Sequence, residues 1–269
     1  MAFEGCEFTF DGISSHEHGL VVYNLGNYSQ EDTFQFPSSG EIVSDRLPWR
    51  ASSLLYAVVE EDVAEFVLVF GANPESMDER DPIDRWEQEN IASWLTGHKT
   101  YRWLTIDQPD MHGFRFRCLI SELESISLGG EQWAYRCRVT CDSPYAYTYP
   151  ETTTFKVGRS SNVLYRCLTT SNNLYYPQMD IVMNGGTSIG ITNETTGDSF
   201  ELTGLPTSSY TIHVDNDGQV ISSEELPDFN FYEHFNFGFI GLKRGDNNLS
   251  FTGSGTIKIT SSFPVNIGG

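Results

Sequence analysis

The sequence predicts a mainly β protein in two parts: an N-terminal β-sandwich or barrel-like domain carrying one α-helix, residues 1–150, and a C-terminal β-sandwich or jelly roll, residues 151–269. Three observations lead there. Period-two alternation of apolar residues runs through most of the chain. One stretch alone, about residues 82–96, has helical spacing. The composition also changes near residue 150, because all five tryptophans (49, 86, 94, 103 and 133) precede it and Thr, Ser, Asn and Gly dominate after it.

Taken in order, "CEFTFDG" and "GLVVYNL" read as strands around a turn from Asp11 to Gly19. "EFVLVFGANPE" is a near-continuous apolar strand closed by a Gly/Asn/Pro turn. In "DPIDRWEQENIASWLTG", Asp81 fits the N-cap, Pro82 the first helical position and Gly97 the stop. Ile83, Trp86, Ile91, Trp94 and Leu95 then form one apolar stripe. The stripe suits packing on a sheet, and also docking on a neighbouring subunit.

"GFRFRCLI" alternates Phe114, Phe116, Cys118 and Ile120 with Arg115 and Arg117. Gly129-Gly130 makes a two-residue turn into "EQWAYRCRVTC". In register, that hairpin sets Cys118 against Cys141 and Arg117 against Asp142. A bulge is expected near Glu122, where the alternation weakens. Tyr145 to Thr154 serves as the connection between the halves. Beyond it, "PQMDIVMNGG", "SIGITNETTGDSFELTGLP", "YTIHVDNDGQVIS" and "NLSFTGSGTIKITSSFP" are short strands between Gly, Asn and Asp turns.

Sixteen basic against 37 acidic residues give a formal charge of −21. Such a chain repels phosphates and anionic lipid surfaces, which disfavours nucleic-acid and membrane partners. No apolar run approaches the roughly 20 residues of a membrane helix, and the N-terminus lacks the pattern of a signal peptide. The expectation is a chain made in the cytoplasm, in which the sequons at Asn27, Asn193 and Asn248 go unused.

The five cysteines are expected as free thiols. Cys137 and Cys141 alternate with charged residues on one strand, so they read as core positions rather than metal ligands. His16-Glu17-His18 offers two imidazoles around a carboxylate, but no third ligand, and reads as a polar turn. "DNDGQV" starts like a calcium loop, yet Leu226 stands where the twelfth-position Glu is needed, so a hairpin turn is the better reading.

No catalytic motif is present. The expectation is therefore no catalytic residue, no cofactor and no metal site. In "PDFNFYEHFNFGFIG", Phe229, Phe231, Phe235, Phe237 and Phe239 share one parity and read as a buried strand face, with Tyr232 and His234 opposite. Tyr175-Tyr176 is a second candidate surface.

These same segments resemble the distal tail proteins of long, flexible-tailed bacteriophages (siphophages). "FTFDGISSHEHGLVVYNLG" is similar to that family's opening F-x-F-x-G-x-x-S segment and G-L-x-V strand. Trp94-Leu95 before Tyr101 and Leu104, the "DQPD" turn before "FRFRC", and the D-x-P-aromatic step in "YRCRVTCDSPYAY" follow in the same order. "YYPQMDIVMNG", the N-x-T-T-G turn and "GLKRGDNNLSFTGSGTIKI" resemble its galectin-like C-terminal domain.

The resemblance implies a non-enzymatic structural protein of the virion tail tip, or baseplate. It implies a homo-hexameric ring of N-terminal domains joining the tail tube protein to the tail hub protein, with DNA passing unbound through the lumen. The C-terminal sandwiches would face outward, toward receptor-binding proteins or host glycans. A carbohydrate-binding module for cell-wall sugars is the alternative reading, and a wall hydrolase a third.

Overall fold

The computed structural model of the chain describes residues 6–23, 41–45, 49, 54–59, 63–73, 82–157 and 161–266. It divides into two compact units, one through Tyr147 with the last residues from Asn266, the other from Thr148 to Val265. The expected turn at Pro74-Glu75, the Asp81 cap and the Asn27 sequon lie outside the described residues.

In the first unit the strands are β1 (Phe8–Phe10), β2 (Ile13–Ser14), β3 (Leu20–Val22), β4 (Glu41–Asp45), β5 (Leu54–Val59), β6 (Glu65–Ala72), β7 (Arg102–Ile106), β8 (Phe114–Leu128) and β9 (Glu131–Cys141), with helix α1 at Arg85–Thr96. The main antiparallel path runs β2-β1-β7-β8-β9-β6-β3, and β4-β5 is a separate pair. The two early strands are therefore not partners: β1 pairs with β2 and β7, and β3 with β6. The Val22 N–H donates to the Cys6 carbonyl at 2.8 Å. That bond brings the β3 edge back to the segment entering β1 and curls the sheet toward closure.

Alternate residues of these strands meet inside, with Phe8, Phe10, Leu20, Leu68, Phe70, Leu104, Cys118 and Val139 all buried. Helix α1 plugs this core with Ile91, Trp94 and Leu95. Trp94 donates its Nε1–H to the Phe10 carbonyl at 3.0 Å and stacks on Phe8 at 5.6 Å.

The helix begins later than the sequence suggests. Asp84 is the N-cap, accepting from the Glu87 N–H at 2.8 Å, while Glu87 returns a carboxylate to the Asp84 N–H at 3.2 Å. A reciprocal box satisfies two orphan donors, which is why it wins over Pro82 as the start. The shift alters the stripe: Ile91, Trp94 and Leu95 are buried, whereas Trp86 is 75% exposed. Ile83 is buried too, but it lies ahead of the helix.

The β8–β9 hairpin keeps the expected register at its base. Cys118 sits opposite Cys141, and Asp142 donates its N–H to the Arg117 carbonyl at 2.8 Å. The expected bulge appears between Ser121 and Glu124, with Glu122 at φ 52°. A second irregularity on β9, between Gln132 and Ala134, shifts the pairing in the opposite sense, so the two cancel. Their joint effect is local. Ala134 is buried beside its neighbour Tyr135, which breaks the alternation, and Trp133 is only half-buried.

The second unit takes up strands β11 (Glu151–Val157), β12 (Ser161–Cys167), β13 (Gln178–Asn184), β14 (Ser188–Asn193), β15 (Asp198–Thr203), β16 (Ser209–Asp215), β17 (Val220–Ser222), β18 (Gly245–Gly253) and β19 (Gly255–Ser261). Much of the expected connection is thus strand: β10 (Ala146–Thr148) and β11 occupy it.

Two sheets, β11-β19-β13-β16-β17 and β12-β18-β14-β15, form a sandwich. Across it Phe155 stacks on Phe251 at 5.1 Å, and the Tyr165 and Ser261 hydroxyls pair at 2.9 Å. The inward residues, among them Met179, Ile181, Ile212, Ile257, Ile191, Phe200 and Leu249, alternate with polar ones.

Candidate functional site

The His16-Glu17-His18 turn is a single turn of 3₁₀ helix, Ser15–His18. Ser14 caps it by accepting from the His16 N–H, Glu17 closes the box on the Ser14 N–H, and Gly19 ends it at φ 60°. The two imidazoles diverge. His16 Nδ1 lies 2.9 Å from Glu7 Oε1 at the surface, whereas the His18 ring stacks on Trp94 at 4.8 Å. The turn therefore positions the helix from the strand side. Among the described residues no three His, Cys, Asp or Glu side chains gather as metal ligands.

All five cysteines are free, as expected, and all are buried, Cys137 and Cys141 as their alternation suggests. Burial pushes the Cys137 and Cys141 thiols up to about 12 and the Cys118 thiol higher still. Such thiols stay protonated and behave as small apolar groups. Beside them, burial raises the Asp142 carboxyl, opposed by Arg117 at 3.5 Å and by the Tyr147 and Ser143 hydroxyls.

The aromatic segment corrects its sequence reading. Phe231–His234 is a 3₁₀ turn, and Phe235 makes only an isolated bridge to Leu202, so no buried strand face forms. Instead Asn236 imitates a strand. Its Oδ1 accepts from the Glu201 N–H at 3.0 Å, and its Nδ2 donates to the Ser199 carbonyl at 2.8 Å. The segment thereby covers the open edge of β15, which would otherwise invite strand addition. Phe235 and Phe231 are buried, while Phe237 is 71% exposed at φ 60°, a strained conformation for a bulky residue.

The two candidate tyrosines are structural. Tyr232 donates its hydroxyl to the Gln219 carbonyl at 3.0 Å, and Tyr175 accepts from the Ser262 N–H at 2.8 Å while its ring leans on Phe263.

Asn216, inside the expected hairpin turn between β16 and β17, is buried. It donates to the Pro177 carbonyl and accepts from the Ile240 N–H. The Asn193 sequon has a structural use as well. That side chain is fully buried and donates to the Gly241 carbonyl at 2.8 Å and to Asn247 Oδ1 at 3.0 Å.

Sequence reasoning missed one feature. Between α1 and the β8–β9 hairpin lies an open cavity of about 400 Å³, lined by Arg85, Gln88, Glu89, Ala92, Leu123, Ser125, Gln132 and Tyr135. Tyr135 borders the cavity while its ring stacks on Phe70 in the core. Tyr135 carried the apolar alternation of β9 as well as a Phe would have, which is why no signal marked it.

Against known proteins, two family models cover nearly the whole chain: a phage tail protein N-terminal domain at residues 3–143 and a phage tail C-terminal domain at residues 145–261. Among solved structures, the Dit protein of phage SPP1, described as a paradigm of hub adsorption apparatus in Gram-positive-infecting phages, superposes with a TM-score of 0.68 at 14% identity. That match covers 97% of this chain and 100% of that one. The phage P2 baseplate in its activated conformation matches more loosely, with a TM-score of 0.44 at 9% identity over 96% of this chain and 98% of that one. No curated protein sequence matches. On the two family matches, with the fold it shares with SPP1 Dit, the chain belongs to the phage tail proteins and is a structural component of the virion tail.

Proposed function

We propose that this protein is a distal tail protein: a non-enzymatic adaptor whose N-terminal units form a hexameric ring at the tail tip, between the tail tube protein and the tail hub. The observation that carries this reading is the pair of phage tail domains, residues 3–143 and 145–261, consecutive on a chain whose fold follows SPP1 Dit end to end. The C-terminal sandwich then faces outward and carries receptor-binding proteins. The excess of 37 acidic over 16 basic residues favours a lumen through which DNA passes without adhering.

Native mass spectrometry and electron microscopy of the purified chain, alone and with its tail tube and hub partners, test the reading. Six-membered rings are expected. A chain that stays monomeric with both partners, together with tail tips lacking its density, overturns it. A strongly positive lumen in such a ring would remove the DNA-passage argument.

The alternative, glycan binding by the C-terminal unit, rests on the exposed rings of Phe237 and Tyr176. Binding of cell-wall polysaccharide lost in Phe237→Ala would support it. Tyr232 and Tyr175 are poor probes, because their hydroxyls hold the backbone.

A further inference from the structure

An asparagine followed by glycine is chemically labile, because no Cβ on the glycine shields its backbone nitrogen from the neighbouring side-chain carbonyl. Of the asparagines in the chain only Asn184 precedes a glycine, Gly185, and two aspartates do so as well, Asp11 and Asp217. The fold treats these three pairs differently.

At Asp217 the attacking nitrogen is occupied. The Gly218 N–H donates to Asp215 Oδ1 at 3.0 Å, and the Asp217 N–H donates to the same oxygen at 3.1 Å. At Asp11 the carboxylate is held instead, 3.6 Å from Arg102 and 3.8 Å from His98. The buried Asn193, Asn216 and Asn247 each commit their Nδ2 to a backbone carbonyl.

Asn184 meets none of these restraints. It is the last residue of β13, and both it and Gly185 are exposed. Gly185 stands at φ 84° in the short crossing from β13, in one sheet, to β14 in the other. Among the described residues its N–H has no acceptor. The Asn184 side chain accepts from the Ser209 hydroxyl at Oδ1, at 3.4 Å, while its Nδ2, the group that has to depart, has no partner among the described residues.

We propose that Asn184 is a site of spontaneous modification, at which the side-chain amide is lost and aspartate or isoaspartate takes its place. The Gly185 nitrogen bonds to the Asn184 Cγ, the Cγ–Nδ2 bond breaks, and Nδ2 leaves as ammonia with the proton from Gly185. Water then opens the succinimide. Opening at the side-chain carbonyl leaves aspartate, and opening at the main-chain carbonyl leaves isoaspartate, whose backbone runs through Cβ and Cγ. No oxidant or reductant takes part, and each event adds one negative charge.

Subunits of an assembled virion are not renewed, so the change accumulates as the particle ages. Its consequence is local to the crossing. Gly186 lies so close to the turn between β18 and β19 that a Cβ on it would sit 2.9 Å from the Ser254 carbonyl oxygen. An extra backbone carbon just ahead of it displaces that contact, whereas an ordinary aspartate leaves the backbone length unchanged.

The test ages the full-length chain in mildly alkaline buffer at physiological temperature, beside a synthetic peptide of residues 181–188. Circular dichroism checks that the chain stays folded. Peptide mapping by mass spectrometry follows conversion at every asparagine, and a protein isoaspartate methyltransferase, used as a reagent, reports isoaspartate. In the folded chain Asn184 is expected to convert within about tenfold of the peptide rate, and at least about tenfold faster than any other asparagine.

Methyl acceptance should disappear in Asn184→Gln, whose longer side chain closes the ring far more slowly. Asn184→Asp should unfold with the wild type, and the isoaspartate-containing fraction at a lower temperature. A folded chain that keeps the Asn184 amide more than about tenfold longer than the peptide, or methyl acceptance that persists in Asn184→Gln, overturns the assignment. An isoaspartate fraction that unfolds with the wild type overturns the consequence drawn for Gly186.

Discussion

The two units treat buried polar groups in opposite ways. In the C-terminal sandwich the fully buried Asn247 accepts from the Lys243 N–H at 2.9 Å and donates to the Lys243 and Gly245 carbonyls at 2.7 and 3.0 Å. Asn193 and Asn216 are likewise used in both directions. Among the described residues, no buried side-chain N or O of that unit lacks a partner. Among the described residues, the N-terminal unit leaves the Tyr135 hydroxyl and the Gln132 Nε2 unpaired. In the C-terminal unit the open edge of β15 is covered by Asn236. The lesson is that the sandwich is complete as a single chain. The N-terminal unit, among the described residues, keeps buried side-chain polar atoms unpaired.

Four measurements break or sharpen that contrast. The largest effect is expected at the helix plug. Trp94→Ala removes a buried ring stacked on Phe8 and His18 and orphans the Phe10 carbonyl, at a cost of about 4 kcal/mol in denaturant unfolding of the N-terminal unit. A loss below about 1 kcal/mol would mean that α1 does not hold this core.

Next comes the sandwich network. Asn247→Ala strands the Lys243 and Gly245 groups and the Asn193 amide, for about 3 kcal/mol, read in the unfolding transition of the C-terminal unit. By contrast Tyr135→Phe is expected to change stability by no more than about 0.5 kcal/mol, or to raise it, because no bond is lost. If the two substitutions cost the same, the contrast between the units disappears.

The third measurement is alkaline titration. The folded-state pKa values of Cys137 and Cys141 lie near 12, above the roughly 8.5 of an unfolded thiol. A group raised in this way contributes its stability in full below the unfolded value and loses it as pH climbs toward the folded one. The N-terminal unit, with three such thiols on one hairpin, should therefore weaken between about pH 8.5 and 12. Native thiols should also resist a maleimide reagent at pH 7.5 until the chain unfolds. Rapid labelling of Cys118, Cys137 or Cys141 in the native state would contradict their burial.

The smallest effect belongs to α1. Asp84→Ala loses the capping box, for about 1 kcal/mol by thermal unfolding, while Trp86→Ala at an exposed position stays within about 0.5 kcal/mol. A costly Trp86→Ala in the isolated chain would show that this ring already packs somewhere.

By itself, the sequence determined the features whose cause is local. Period-two alternation made the strands legible, and the Gly129-Gly130 turn with the weakened pattern at Glu122 gave the Cys118–Cys141 register and its bulge. Alternation with charged neighbours put Cys137 and Cys141 inside. Soft but ordered motifs, from "FTFDG" to "GSGTIKI", were sufficient for the kinship with phage tail proteins, because a family is written in the order of its turns and strands as much as in any single residue.

Tertiary structure alone decided whatever depended on a partner distant in sequence. Two tryptophans on one helix looked alike, and only the meeting of Phe8, Phe10 and His18 selected Trp94 over Trp86. Five phenylalanines of one parity predicted a strand. The open edge of β15 took Asn236 as its partner and bent them into a 3₁₀ turn and loop instead. The second shift at Trp133 left Ala134 buried beside Tyr135, and an otherwise apolar alternation set Tyr135 between the core and the groove along α1. Periodicity fixes which face a residue shares with its neighbours. What stands opposite that face is set by chain segments tens of residues away, and no local pattern encodes them.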